Sequence, residues 1–116
     1  MIKDMIFEDF QLAVEDAVVE KDRNLLDTTS ELTRCAARLN RSIVYAATKC
    51  GCIELTSKQK GISGRLCEKC RFSVEKELGD LLFNAAAISS YFKISMYDVM
   101  LAERRYMELL GDYLHL

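Results

Sequence analysis

The chain has 116 residues, half of them apolar, with a net charge of −2, no proline and five glycines. That is enough apolar material for one packed core, too little length for a second, and too hydrophobic for disorder. The scarcity of proline and glycine argues against a fold of tight turns and short strands, and the near balance of charge makes no case for a nucleic-acid partner.

The first nine residues carry three acids and lack the basic start and apolar stretch of a secretory signal. No apolar run approaches the roughly 20 residues that span a bilayer. A soluble, cytoplasmic protein with no membrane partner is expected, its five cysteines reduced and left for burial, metal ligation or redox chemistry. Charge is uneven along the chain: residues 1–30 hold eight acids against three bases, and residues 31–116 hold ten acids against thirteen bases. We therefore expect a single domain, 1–116, in which an acidic helix and link (1–27) precede the core helices (28–116).

Four helices are predicted. In the first, about Lys3–Lys21, Ile6, Phe10, Ala13 and Ala17 recur at spacings of three and four and mark one apolar stripe. The second opens at Thr28, where Thr28 and Glu31 fit a capping box. Its heptad of Leu32, Leu39, Ala46 and Ile53, with Cys35, Ala36, Ile43 and Cys50 on the same face, carries it to between Gly51 and Thr56. The polar run Thr56–Gly64 then reads as a loop.

The third helix, about Leu66–Phe92, is lined by Leu66, Cys70, Val74, Leu78, Leu81, Leu82, Ala85, Ile88 and Phe92, with Ala85-Ala86-Ala87 offering a close approach for another helix. A break at Lys93-Ile94 leads to a capping start at Ser95 and Asp98. The fourth helix, about Met96–Leu110, ends before Gly111. The expected fold class is all-α, a four-helix bundle-like arrangement.

Glu77 and Asp80, three apart on the third helix, project from one face, as suits a hard cation such as magnesium. Glu77-Leu78-Gly79-Asp80-Leu81-Leu82-Phe83, followed by an apolar helix, the turn Lys93-Ile94-Ser95-Met96 and then Tyr97-Asp98-Val99-Met100, resembles the MazG-type all-α nucleoside triphosphate pyrophosphohydrolases. The resemblance covers about residues 40–110. It implies a helical bundle completed by dimerisation, and Mg-dependent hydrolysis of a nucleoside triphosphate to monophosphate and pyrophosphate, with Glu77, Asp80 and Glu54 as magnesium ligands. Where that family carries Glu-Glu-x-x-Glu on the preceding helix, this chain reads Ala47-Thr48-Lys49-Cys50-Gly51-Cys52-Ile53-Glu54-Leu55, in which Glu54 is the one carboxylate. Glu31, Glu15 and Asp16 are alternative acids on other helices. On the last helix Arg104 and Arg105 are candidates for holding phosphate, against the reading of an exposed basic helix end.

Cys50-Gly51-Cys52 and Cys67-Glu68-Lys69-Cys70, separated by fourteen residues, supply four thiols in two close pairs, the ligand set of a tetrahedral zinc site. On a continuous helix Cys50 and Cys52 would point about 200° apart, so convergence requires Gly51 to break the helix. The competing readings are that Cys50 and Cys70 are small buried residues, like Cys35, or that Cys67 and Cys70 at a helix start serve thiol–disulfide chemistry. Cys70 lies one heptad before Glu77, about 10 Å along the same stripe. Arg34, Arg38 and Arg41, with Lys49 further along, form a basic stripe on the second helix. It reads by default as a solvated face paired to local acids, against contact with a triphosphate, an RNA backbone or the acidic first helix. His115, the lone histidine, stands beside the end of the sequence. No catalytic residue is assigned. The two functions these residues support are a divergent MazG-like pyrophosphohydrolase binding a nucleotide, and a non-catalytic helical interaction module, stabilised by zinc or by formation of a homodimer.

Overall fold

A computed structural model describes residues 2–56 and 61–110. Four α-helices account for most of them: α1 (Ile2–Glu20), α2 (Leu25–Tyr45), α3 (Glu68–Tyr91) and α4 (Met96–Leu109). Between α2 and α3 the chain makes a π-helical turn (Ala46–Cys50) and a two-stranded antiparallel hairpin, β1 (Ile53–Leu55) with β2 (Ile62–Gly64). The helical fold class is as expected; the hairpin is not, and residues 53–55 and 62–64 pair where helix end and loop are anticipated. Two compact units are present, 1–28 with 85–116, and 29–84.

In the first unit α1 packs against α4. The face α1 buries is one residue out of register with the expected stripe. Val14 and Val18 are buried and Phe7 and Gln11 half-buried, whereas Ile6 and Phe10 are exposed. Phe7 meets Tyr97 of α4 with ring centroids 6.3 Å apart. Gln11 fixes the inward face, because its amide bridges two helix ends at once. Its Nε2 donates to the Ile94 carbonyl beyond α3 (2.7 Å), and its Oε1 accepts from the Met96 N–H that opens α4 (3.0 Å). Those are the orphan backbone groups that helix termini leave. The Tyr91 hydroxyl adds a hydrogen bond to the Arg23 carbonyl.

Helices α1 and α3 each exit through a left-handed residue that is not glycine, Asp22 (φ 52°) and Lys93 (φ 56°). At each, its own amide and the next one reach back to the last turn: Asp22 to Val19 and Arg23 to Val18, then Lys93 to Ser90 and Ile94 to Ser89. Helix α2 begins three residues earlier than expected. Asn24, not Thr28, is the cap, since its Oδ1 accepts from the Asp27 N–H (2.8 Å). Thr28 lies within the first turn, fully buried, its hydroxyl donating to the Asn24 carbonyl. Ser95 does cap α4, accepting from Asp98 N–H. Gly111 and His115 lie outside the described residues.

The second unit is built from α2, the π-helical turn, the hairpin and the first part of α3. Ser42 and Ser73 hydrogen-bond across the two helices at 2.8 Å. The heptad read into α2 ends early: Ala46 opens the π-helical turn and Ile53 stands on β1. Both remain buried, so the pattern is right about burial and wrong about helix. On α3 the expected stripe is only partly inward, with Cys70 buried but Leu78, Leu82 and Phe92 about half exposed. Asn84, Ala86 and Ala87 are buried in their stead. No helix among the described residues is long and apolar enough to cross a membrane.

Candidate metal centre

The two cysteine pairs are delivered by different devices. On the first arm, the π-helical turn closes with the Gly51 N–H on the Ala46 carbonyl (2.9 Å), and Gly51 then takes a left-handed conformation (φ 79°). An L side chain is strained there, so glycine is what lets the chain leave the helix and swing Cys52 round to the side of Cys50. The hairpin register, Ile53 opposite Gly64, presses Gly64 onto the Cys52 carbonyl. A Cβ at Gly64 would stand 2.8 Å from that oxygen, and φ is +89°.

On the second arm, Cys67 caps α3: its carbonyl accepts from Arg71 N–H (2.8 Å) and its Sγ from Cys70 N–H (3.4 Å). That amide holds the Cys67 thiol down at about 7, as expected of a thiolate at a helix N-terminus. Burial pushes the Cys70 thiol up to about 12. Beneath the sulfurs Ala46, Ile53 and Cys70 form an apolar floor, with Ala47, Leu66 and parts of Cys52 and Cys67 packed against it.

All four sulfurs, of Cys50, Cys52, Cys67 and Cys70, lie within 4.8 Å of one another. Cys50 and Cys67 are 3.7 Å apart. Thiolates at about 2.3 Å around a tetrahedral ion stand about 3.8 Å from each other, so the spacing fits a single metal such as zinc. The sulfur set leaves no place for water or substrate on a four-coordinate ion, which is the arrangement of a structural centre.

A second group forms on the other side of Cys70 along α3. Glu77 and Asp80 come together with Cys35 of α2, their ligand atoms within 4.8 Å of one another. A protein cation already stands among them. Arg38 donates from Nε to Glu77 Oε1 and from Nη2 to Glu31 Oε2, both at 2.9 Å, and lies 3.9 Å from Asp80 Oδ2. Lys76 pairs with the second Asp80 oxygen. Hydrogen bonds from Arg34 and Arg38 hold the Glu31 carboxyl well below the usual carboxylate range, at about 2. The Cys35 thiol is fully buried, and burial pushes its pKa up. Asn84 closes the group from α3, donating to the Asp80 carbonyl (2.8 Å) and to Cys35 Sγ (3.6 Å).

Of the acids weighed from sequence, Glu31 thus joins Glu77 and Asp80. Glu54 does not: it is exposed on β1, opposite Ser63. Glu15 and Asp16 are exposed on α1. Arg104 and Arg105 are exposed on α4, Arg104 pairing with Glu108 at 3.4 Å. Arg38, read from sequence as one member of a basic stripe, is the residue that ties this group together. Its signal was present, since Glu31, Cys35 and Arg38 fall at spacings of four and three on one face of α2, and an arginine there meets an acidic face with its charge. Comparison with protein-family models, curated proteins and solved structures gives no significant match for this chain.

Proposed function

We propose that the chain is a helical binding module whose second unit is held together by one structural zinc ion on Cys50, Cys52, Cys67 and Cys70. The convergence of the four sulfurs within 4.8 Å carries this reading. An all-sulfur set favours zinc over magnesium or calcium, which take oxygen ligands, and the reduced thiols it needs suit a cytoplasmic setting. The ion would tie the π-helical turn to the start of α3 and fold the hairpin between them. Protein purified without added zinc is expected to hold about one equivalent per chain; less than half an equivalent overturns the reading. Large apolar side chains are exposed on α3, Phe72, Leu78 and Leu82 among them, which favours a homodimer over a lone chain.

A second reading keeps the MazG-like resemblance. It is favoured by Glu77 and Asp80 standing together in one group, and it would make the chain a divergent pyrophosphohydrolase binding a nucleoside triphosphate with magnesium. Arg38 weighs against it, because a divalent ion would have to displace a guanidinium bound to two of the carboxylates. Pyrophosphate release from a panel of nucleoside triphosphates separates the readings. Mg-dependent turnover lost in Glu77→Gln and Asp80→Asn supports the enzyme; no turnover with any nucleotide contradicts it.

A further inference from the structure

A cleft of about 650 Å³ opens along α2 and the π-helical turn on one side and α3 on the other, wholly within the second unit. Its lining holds four cations, Arg38, Arg41, Lys49 and Lys69, against one carboxylate, Glu77. Arg38 and Glu77 neutralise each other through their hydrogen bond. Arg41, Lys49 and Lys69 are exposed, and none is ion-paired among the described residues. Tyr45 stands on the same wall, 45% exposed, with Val44 beside it and Ser42, Thr48 and Ser73 offering hydroxyls. The near-neutral charge of the whole sequence conceals this local excess.

We propose that the cleft binds a short single-stranded nucleic acid, its phosphates on Arg41, Lys49 and Lys69 and one base on the Tyr45 ring. Cations along a groove with an aromatic face beside them form a platform that takes a strand without base-specific contacts. Arg41 and Lys49 are eight residues apart, about 12 Å along a helix. That span exceeds the separation of neighbouring phosphates in a triphosphate tail and suits phosphates on different nucleotides of one strand. The cations contact the phosphates directly, so no divalent ion is required. The inference rests on the zinc-held module, since Lys49 and Lys69 each immediately precede a cysteine of the metal set and are placed by the same two arms.

The test uses the full chain as purified, with its metal content recorded, and a short fluorescein-labelled oligouridylate followed by anisotropy. Binding is expected to weaken with salt, with a log–log slope of about −2, from three contacts at about −0.7 each. The combined variant Arg41→Gln, Lys49→Gln, Lys69→Gln should bind at least tenfold more weakly and lose most of that slope. Tyr45→Ala should lose about five- to a hundredfold in affinity with the slope kept. Circular dichroism and retained zinc establish that each variant is folded. Binding by the folded triple variant equal to wild type overturns the inference, as does uridine triphosphate competing as well as the oligonucleotide. A zinc-loaded wild-type chain that binds no oligonucleotide overturns the inference and leaves the zinc module standing. A wild-type chain that holds no zinc overturns the module and the inference with it.

Discussion

Arg38 serves Glu31 and Glu77 at the same 2.9 Å and is less than a third exposed, so carboxylates from two helices depend on one guanidinium. Removing it takes the guanidinium from the partly buried Glu77 and leaves Glu31 to Arg34 alone, which costs more than the interaction itself contributes. Arg38→Met is expected to lower the midpoint of urea unfolding. It should also let the Glu31 carboxyl, now at about 2, rise toward its ordinary range in an NMR titration. The sign follows from linkage. A carboxyl whose folded pKa is depressed contributes stability above its unfolded pKa and loses it as pH falls toward the folded value. Wild-type stability should therefore decline from about pH 5 down toward pH 2, and the Glu31 share of that decline should shrink in Arg38→Met, where Arg34 still bonds Glu31. The acids of this group were legible in the sequence because Glu77 and Asp80 share a helix and a spacing. The place of Arg38 on the Glu31 face of α2 was legible from spacing too, but a basic stripe on one helix does not announce which acids on another it will face.

Short-range chemistry decided the elements, and the sequence pattern was a good guide only where that chemistry was conventional. Ser95 caps α4 as its spacing with Asp98 suggests, while Asn24 takes the α2 cap and leaves Thr28 within the helix, its hydroxyl on the Asn24 carbonyl, and Glu31 on Arg34 and Arg38. The register of α1 was misread for a different reason. Gln11 counts as polar in any hydrophobic pattern, yet it faces inward because it satisfies the ends of two other helices. Gln11→Ala is expected to cost about 1 kcal/mol, chiefly through the part-buried Met96 N–H, measured by thermal unfolding. The hairpin was invisible for want of length, since strands of three residues carry no alternation to detect. Gly64 is its most sensitive position. Gly64→Ala must accommodate both a left-handed backbone and a 2.8 Å approach to the Cys52 carbonyl. A loss of zinc affinity of about tenfold or more, in competition with a chromophoric chelator, is expected from a strain of that kind.

At the scale of the molecule, the all-helical class was readable from composition and periodicity, and the two cysteine pairs from their spacing. The division into two units was not, because α2 and α3 each contribute an end to the first and the rest to the second. If zinc holds the second unit, its removal should act unevenly. A strong chelator is expected to abolish amide protection in the hairpin and the π-helical turn while α1 and α4 keep theirs, as hydrogen exchange would reveal. A single tetrathiolate ion is what holds the second unit in this reading, and cobalt substitution reports on it directly. Titrating the metal-free chain with Co(II) should produce the intense visible absorption of a tetrahedral thiolate site, saturating at one ion per chain, displaced by zinc and strongly diminished in Cys67→Ser. Weak absorption typical of octahedral cobalt, or a spectrum unchanged by Cys67→Ser, would contradict it.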